Sequence, residues 1–214
     1  MVGSCHLRNL GTLRSWWHDE RVDKGYKMNL KIICKSGGAT GADNVFGRCA
    51  EAVDHDVWHY TFDDHDARCN SGILKVLTPT ELQQADTFLL RANKSLNRTF
   101  PAQSEFVNNL LRRDYWQVRE TYAVYAVAKL DDQHHMPQGG TAWAVQMAVD
   151  LRVPNIFLFD QISNHWHQYL YSLHGWEILL PIDVIKPKLQ SIYTGIGTRN
   201  LTAKGYTAIE QLYK

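Results

Sequence analysis

TYAVYAVAKL, Thr121 to Leu130, is the stretch on which the reading of the fold turns. Its residues are β-branched, aromatic or small, with no polar alternation until its end. A strand with one wet face alternates apolar and polar residues, whereas a parallel strand covered by helices on both faces stays apolar. The stretch therefore predicts a central parallel strand. Asn155 to Asp160 (NIFLFD) has the same character, and Leu30 to Cys34, Val57 to Phe62 and Ser191 to Thr194 supply further short strands.

Between these strands the apolar spacing becomes helical. Val45, Phe46, Cys49, Ala50 and Val53 share one such face, and Phe106, Leu110, Leu111, Tyr115 and Val118 another. Ala142 to Leu151 and Leu201 to Tyr213 read the same way. Thr78-Pro79-Thr80-Glu81-Leu82 reads as a helix start, with Pro in the first turn and an acid to favour it. Arg91 to Ser104 reads as a loop, His165 to Leu170 with Trp176 to Leu180 as a short surface hairpin, and residues 1–28 as an N-terminal arm or helix. Strands alternating with helices predict an α/β protein, a single domain over residues 1–214 with a mainly parallel sheet and helices on both faces.

Composition narrows the partners. Hydrophobic residues make up 44% and charged residues 21%, which suits a packed core and not a disordered chain. Lys and Arg total 23 against 22 for Asp and Glu, a net charge of +1. Duplex binding draws its affinity from an excess of cations, so nucleic acid is disfavoured as a partner. Cys5, Cys34, Cys49 and Cys69 contain no Cys-x-x-Cys pair, and Met1 to Leu10 lacks the pattern of a secretory signal. No run approaches the roughly 18–20 apolar residues that cross a bilayer. The expectation is a cytoplasmic protein with reduced thiols and no membrane partner.

Three segments share one order of strand, glycine turn and helix: SGGATGAD at 36–43, GGT at 139–141 and GIGTRN at 195–200. Glycine permits positive φ and close approach of a ligand to the backbone. The helix that follows offers unpaired N–H groups to a phosphate or carboxylate. In a parallel sheet such turns gather at the carboxyl ends of the strands, where ligands bind. The expected ligand-binding set is Ser36, Gly37, Gly38, Thr40, Gly41 and Asp43 from the first turn, and Gly139, Gly140 and Thr141 from the second. The third contributes Gly195, Gly197, Thr198 and the planar cation of Arg199. The spacing matches neither a P-loop nor the dinucleotide G-x-G-x-x-G pattern.

Other residues carry two readings each. Arg112, Arg113 and Arg119 either reach a phosphate or are solvated charges of a helix face, and Arg113 joins the expected ligand set. Tyr115, Trp116 and Trp143 either stack on a base or pack in the core. Asp43 either hydrogen-bonds its own turn or acts near a ribose or a water, as could Asp160. His55, His59, His65 and Cys69, or His165 with His167, match no recognised zinc spacing, so no metal is expected.

SGGATGAD, GGTAWAVQMA followed by VPNIFLFD, and YTGIGTRN resemble the signature segments of the SLOG superfamily, Rossmann-like domains. The superfamily includes the lonely-guy phosphoribohydrolases, DprA and molybdenum-cofactor carriers. The resemblance is nearest to small SLOG-like proteins of bacteriophages, in which an Arg-Asn-Tyr-x-Val helix is similar to Arg113-Asp114-Tyr115-Trp116-Gln117-Val118, with Asp in place of Asn. It covers most of 30–62 and 106–160, plus 191–214. In those relatives the GIG(S/T)R segment opens the chain, whereas here it closes it, which implies a circular permutation with 191–214 as the sheet's first strand and helix. The Glu of the phosphoribohydrolase pattern PGGxGTxxE is missing, since no acid follows Gly140 until Asp150.

The resemblance implies a protein that captures a phosphate-bearing, nucleotide-derived small molecule of the ADP-ribose or cyclic nucleotide type. It would sequester or sense that molecule, as an anti-defence protein in the host cytoplasm if phage-encoded. No cofactor is expected, and no catalytic residue unless Asp43 serves a nucleotide N-glycoside hydrolase or transferase. A molybdenum-cofactor carrier is the remaining alternative, and a homo-oligomer is the expected assembly.

Overall fold

The chain runs β1 (Ile33–Ser36), α1 (Ala42–Ala52), β2 (Asp56–Thr61), β3 (Ile73–Val76), α2 (Pro79–Gln84), α3 (Asp86–Leu96), α4 (Glu105–Val118), β4 (Ala123–Ala128), β5 (Leu130–Asp131), β6 (Met136–Pro137), α5 (Thr141–Asp150), β7 (Asn155–Asp160), β8 (His165–Leu170), β9 (Gly175–Ile178), β10 (Ile192–Gly197) and α6 (Ala203–Leu212). The structure, a computed structural model, describes residues 31–65, 72–131, 136–179 and 186–214. The expected arm at 1–28, Cys5, Cys69 and the His134-His135 loop lie outside the described residues. Among the described residues no helix is long and apolar enough to cross a membrane.

Every residue of β4 is buried, and successive side chains enter different cores. Val124, Ala126 and Ala128 join Leu111, Tyr115, Trp143 and Met147 on one side. Ala123, Tyr125 and Val127 join Phe46, Tyr193 and Ile209 on the other. β7 alternates in the same way, with Ile156 and Leu158 in the first core and Phe157 and Phe159 in the second. This two-sided burial is why TYAVYAVAKL has no polar phase.

The fold is α/β, with a mostly parallel eight-stranded sheet in the order β3-β2-β1-β10-β4-β7-β8-β9. The strands from β3 to β7 in that order are parallel, and β8 and β9 add an antiparallel edge. The last strand in sequence thus lies at the centre. Counted from β10, the parallel strands follow the outward order of a Rossmann sheet, whose first strand is central. α1 and α6 pack together on one face; α3, α4 and α5 pack together on the other.

Local chemistry sets the helix ends. Thr78 Oγ1 accepts from Glu81 N at 3.3 Å and Glu81 Oε2 accepts from Thr78 N at 2.8 Å, a reciprocal capping box beside Pro79. Ser104 and Thr202 cap α4 and α6. Beyond the far end of α4, Lys35 Nζ donates to the carbonyls of Arg119 (2.6 Å) and Glu120 (3.2 Å). Burial pushes the Lys35 amine down to about 8.

Two expectations are corrected. The loop expected over Arg91 to Ser104 is helical as far as Leu96, because Leu89, Ala92 and Leu96 form one buried face among polar neighbours. Asn97 ends that helix in the left-handed region. The first strand is displaced to Ile33–Ser36, since the carbonyls beyond α4 accommodate Lys35 inside the sheet. The expected hairpin forms between β8 and β9, and pairing of β8 with β7 makes it the antiparallel edge of the main sheet, with Trp166 and His167 buried.

Gly195 lies in β10 under α1, where a Cβ would come 2.2 Å from Phe46 Cγ. Gly195→Ala is expected to destabilise the fold by about 1–3 kcal/mol through overpacking. Chemical denaturation should show a lower midpoint with an unchanged slope.

Candidate functional site

β1 leads outward to β2 and β3, whereas β4 leads outward to β7, so the direction of winding reverses around β10. Ligands of open α/β sheets occupy the crevice at the carboxyl ends of the strands where this happens. A cleft of about 370 Å³ opens there. All three glycine turns reach it: Ala39 and Asp43 from the first, Gly139, Gly140 and Thr141 from the second, Gly197, Thr198 and Arg199 from the third. α4 supplies an apolar wall of Val107, Leu110 and Leu111, together with Arg113 and Asp114.

The floor is a buried charge cluster. Arg113 is 6% exposed; its Nη1 donates to Gly37 O (3.3 Å) and to His65 Nε2 (3.0 Å), and its Nη2 to Asp114 Oδ1 (3.2 Å). A guanidinium only donates, so His65 Nε2 holds the lone pair in this arrangement. Gln117 Nε2 donates to the same Asp114 oxygen at 3.1 Å. Asp43 Oδ1 accepts from Gly197 N at 3.0 Å, and the N–H groups of Gly37 and of Asp43 itself also favour its charge. One cation therefore faces two carboxyl groups. Burial pushes Asp43 up to about 6, against the pull of Arg113 and the backbone. Burial likewise pushes Asp114 up to about 7, opposed by Arg113 and reinforced by the Asp43 charge.

Most of the turn glycines are filled by the protein itself. A Cβ on Gly37 would lie 2.6 Å from Asp43 Oδ2 and 2.8 Å from Arg113 Cζ. Gly41, at φ +101°, receives the third turn, and its Cβ would lie 2.4 Å from Thr198 O. Gly139 and Gly140 are different, since a Cβ on either would meet no described atom within 4 Å. Gly140 precedes α5, whose N-terminus has no side-chain cap.

The cleft thus gathers Asp43, Arg113, Gly139, Gly140, Thr141, Gly197, Thr198 and Arg199 of the expected set. Ser36, Gly37, Gly38, Thr40, Gly41 and Gly195 do not line it. Ser36 Oγ donates to Asp43 O (2.9 Å) and accepts from Gly38 N (3.2 Å), which shapes the first turn from behind. Asp160 holds the β7–β8 turn through the N–H groups of Leu130, Ile162 and Ser163. Tyr115 stacks on Phe88 at 4.3 Å, Trp116 donates to Glu81 O, and Trp143 is buried near Phe100, so all three serve packing. Arg112 pairs with Asp86 and Glu105, and Arg119 lies over Trp116. The described residues contain no group of three or more metal-ligating side chains.

Asp114, His65 and Arg98 belong to the site without having been singled out as its ligands. Arg98 Nη1 donates to Gly139 O at 2.6 Å and steadies the open turn. The Asp beside Arg113 left a trace in the sequence as the departure from the Arg-Asn-Tyr pattern, and His65 was weighed there only as a metal ligand. Comparison with family models, with curated proteins and with solved structures gives no match.

A carboxyl group raised from 3.8 binds its proton more tightly in the folded than in the unfolded chain. Its stabilising contribution is complete below about pH 4 and is lost as pH rises through about 6 for Asp43 and about 7 for Asp114. Melting temperature is therefore expected to fall from pH 5 to pH 8. Asp114→Asn keeps Oδ1 as an acceptor and removes one titrating group, so its melting temperature should fall less over that range. An equal fall in both proteins would place the effect elsewhere.

Proposed function

We propose that the protein binds a phosphate-bearing small molecule of nucleotide type and holds it unchanged, so that it sequesters or senses that molecule. The observation that carries this reading is the Gly139-Gly140 turn. It lines the cleft with open space on the Cβ side of both glycines, at the uncapped start of α5, where backbone N–H groups and the helix dipole favour an anion. Thr141, Thr198 and Arg199 line the same cleft with hydroxyl donors and a planar cation suited to a phosphate. Val107, Leu110 and Leu111 offer an apolar surface to a base.

Binding without turnover is favoured by how the acids are held. Asp43 is engaged by Gly197 N and faces Arg113, which makes it a clamp between the first and third turns. The second turn has no acid in the place where phosphoribohydrolases carry Glu. The ligands that fit are of the ADP-ribose or cyclic nucleotide type. The likeness to bacteriophage SLOG proteins extends the proposal to removal of a nucleotide signal of host defence, by a homo-oligomer in the host cytoplasm.

Incubation with a mixed nucleotide extract, followed by denaturation and mass spectrometry, is expected to release one ligand unchanged and in stoichiometric amount. Arg199→Ala should weaken its binding about tenfold or more, because a charge-assisted hydrogen bond contributes about 1.5–3 kcal/mol. Accumulation of free base and ribose phosphate would replace this reading with N-glycoside hydrolysis.

A further inference from the structure

The two acids of the cleft floor are not equivalent. Asp43 is committed to backbone N–H groups of two turns. Asp114 uses only Oδ1, which accepts from both Arg113 Nη2 and Gln117 Nε2. Its Oδ2 takes no hydrogen bond from the described residues, although Asp114 is 6% exposed and lines the cleft. That oxygen is not fully buried, so in a residue that lines the cleft it remains accessible to a ligand atom.

The surrounding charges decide which form of Asp114 suits an anion. Arg113 adjoins it on α4, and Asp43 faces it from the start of α1. His65, after β2, holds the Arg113 Nη1 group. Arg199 stands at the rim after β10, and Arg98 is engaged at the Gly139 carbonyl. Lys35 of β1 is occupied by the carbonyls beyond the other end of α4. α5, which packs on α4, contributes Thr141 to the cleft lining and no charged side chain. One guanidinium cannot neutralise two carboxylates, so a fully ionised floor repels a phosphate. Burial already favours the protonated form of Asp114 near neutral pH.

We propose that Asp114 is the specificity-determining residue of the cleft: it carries a proton when the anion is bound and donates it from Oδ2 to a ligand oxygen. Anion and proton then enter together, and the floor selects a ligand group that presents an acceptor oxygen over one that presents a donor. The inference rests on the reading of the cleft as a phosphate site. No covalent bond is made or broken, and the proton returns to solvent when the ligand leaves.

Calorimetric titration with ADP-ribose, and with sulfate as a bare oxyanion, tests this between pH 5.5 and 8.5, where neither probe's anionic groups titrate. Wild-type affinity is expected to fall by up to tenfold per pH unit above the Asp114 titration. Repeating the titration at pH 8 in buffers of different ionisation enthalpy should reveal uptake of close to one proton, a measurement that needs no variant. Asp114→Asn, a permanent donor of the same shape, should bind with little pH dependence and more tightly than wild type at pH 8.5. Absence of proton uptake, or the same pH profile in both proteins, overturns the role of Asp114 and leaves the phosphate site standing. Failure of both proteins to bind either probe at any pH overturns the phosphate site and this inference with it.

Discussion

Parallel pairing of β10 with β1 on one side and β4 on the other holds the two halves of the sheet together. A central strand must satisfy backbone groups on both edges, because buried N–H and C=O groups without partners are costly. Here that duty falls on the last strand of the chain. The pairing continues past the strand end, where Thr198 N donates to Val127 O (2.9 Å) and Ala42 N donates to Thr198 O (3.1 Å). The third glycine turn is thereby fixed to the first turn and to β4 at once. The cleft inherits its shape from that junction.

The charge cluster under the cleft depends on the same junction. Asp43 reaches Gly197 only because β10 ends beside the start of α1, and Arg113 reaches Gly37 only because α4 crosses the sheet there. Buried ionic groups are weak contributors to stability when their desolvation is counted. Their physical effect here is positional. Gly37 lies against the guanidinium and Gly41 against the third turn, so larger residues at either place would force the turns apart. The open space is left at Gly139 and Gly140 instead.

Much of this was legible from one chain. The unbroken apolar run of β4 announced two-sided burial, and the strand–glycine–helix order announced the turns that now meet in one cleft. The helix α3 was hidden because Leu89, Ala92 and Leu96 are separated by Arg, Asn, Lys and Ser in a sequence that also reads as a loop. The edge strand β3 left little signal, since it pairs on one side only and exposes Ile73, Leu74 and Val76. Lys35 obscured the end of β1 because a lysine inside a buried strand makes sense only once its carbonyl partners are known.

What the sequence determined by itself is the class of fold and the identity of the three turns, because periodicity and glycine spacing are local properties of the chain. Tertiary structure alone decided which glycines are filled by neighbours and which stay open, because close approach depends on atoms far apart in sequence. It alone decided that Asp114, with its spare oxygen, shares a floor with Asp43 and Arg113. Proximity of charges set by the crossing of α4 over β1 and β10 has no counterpart in residue order.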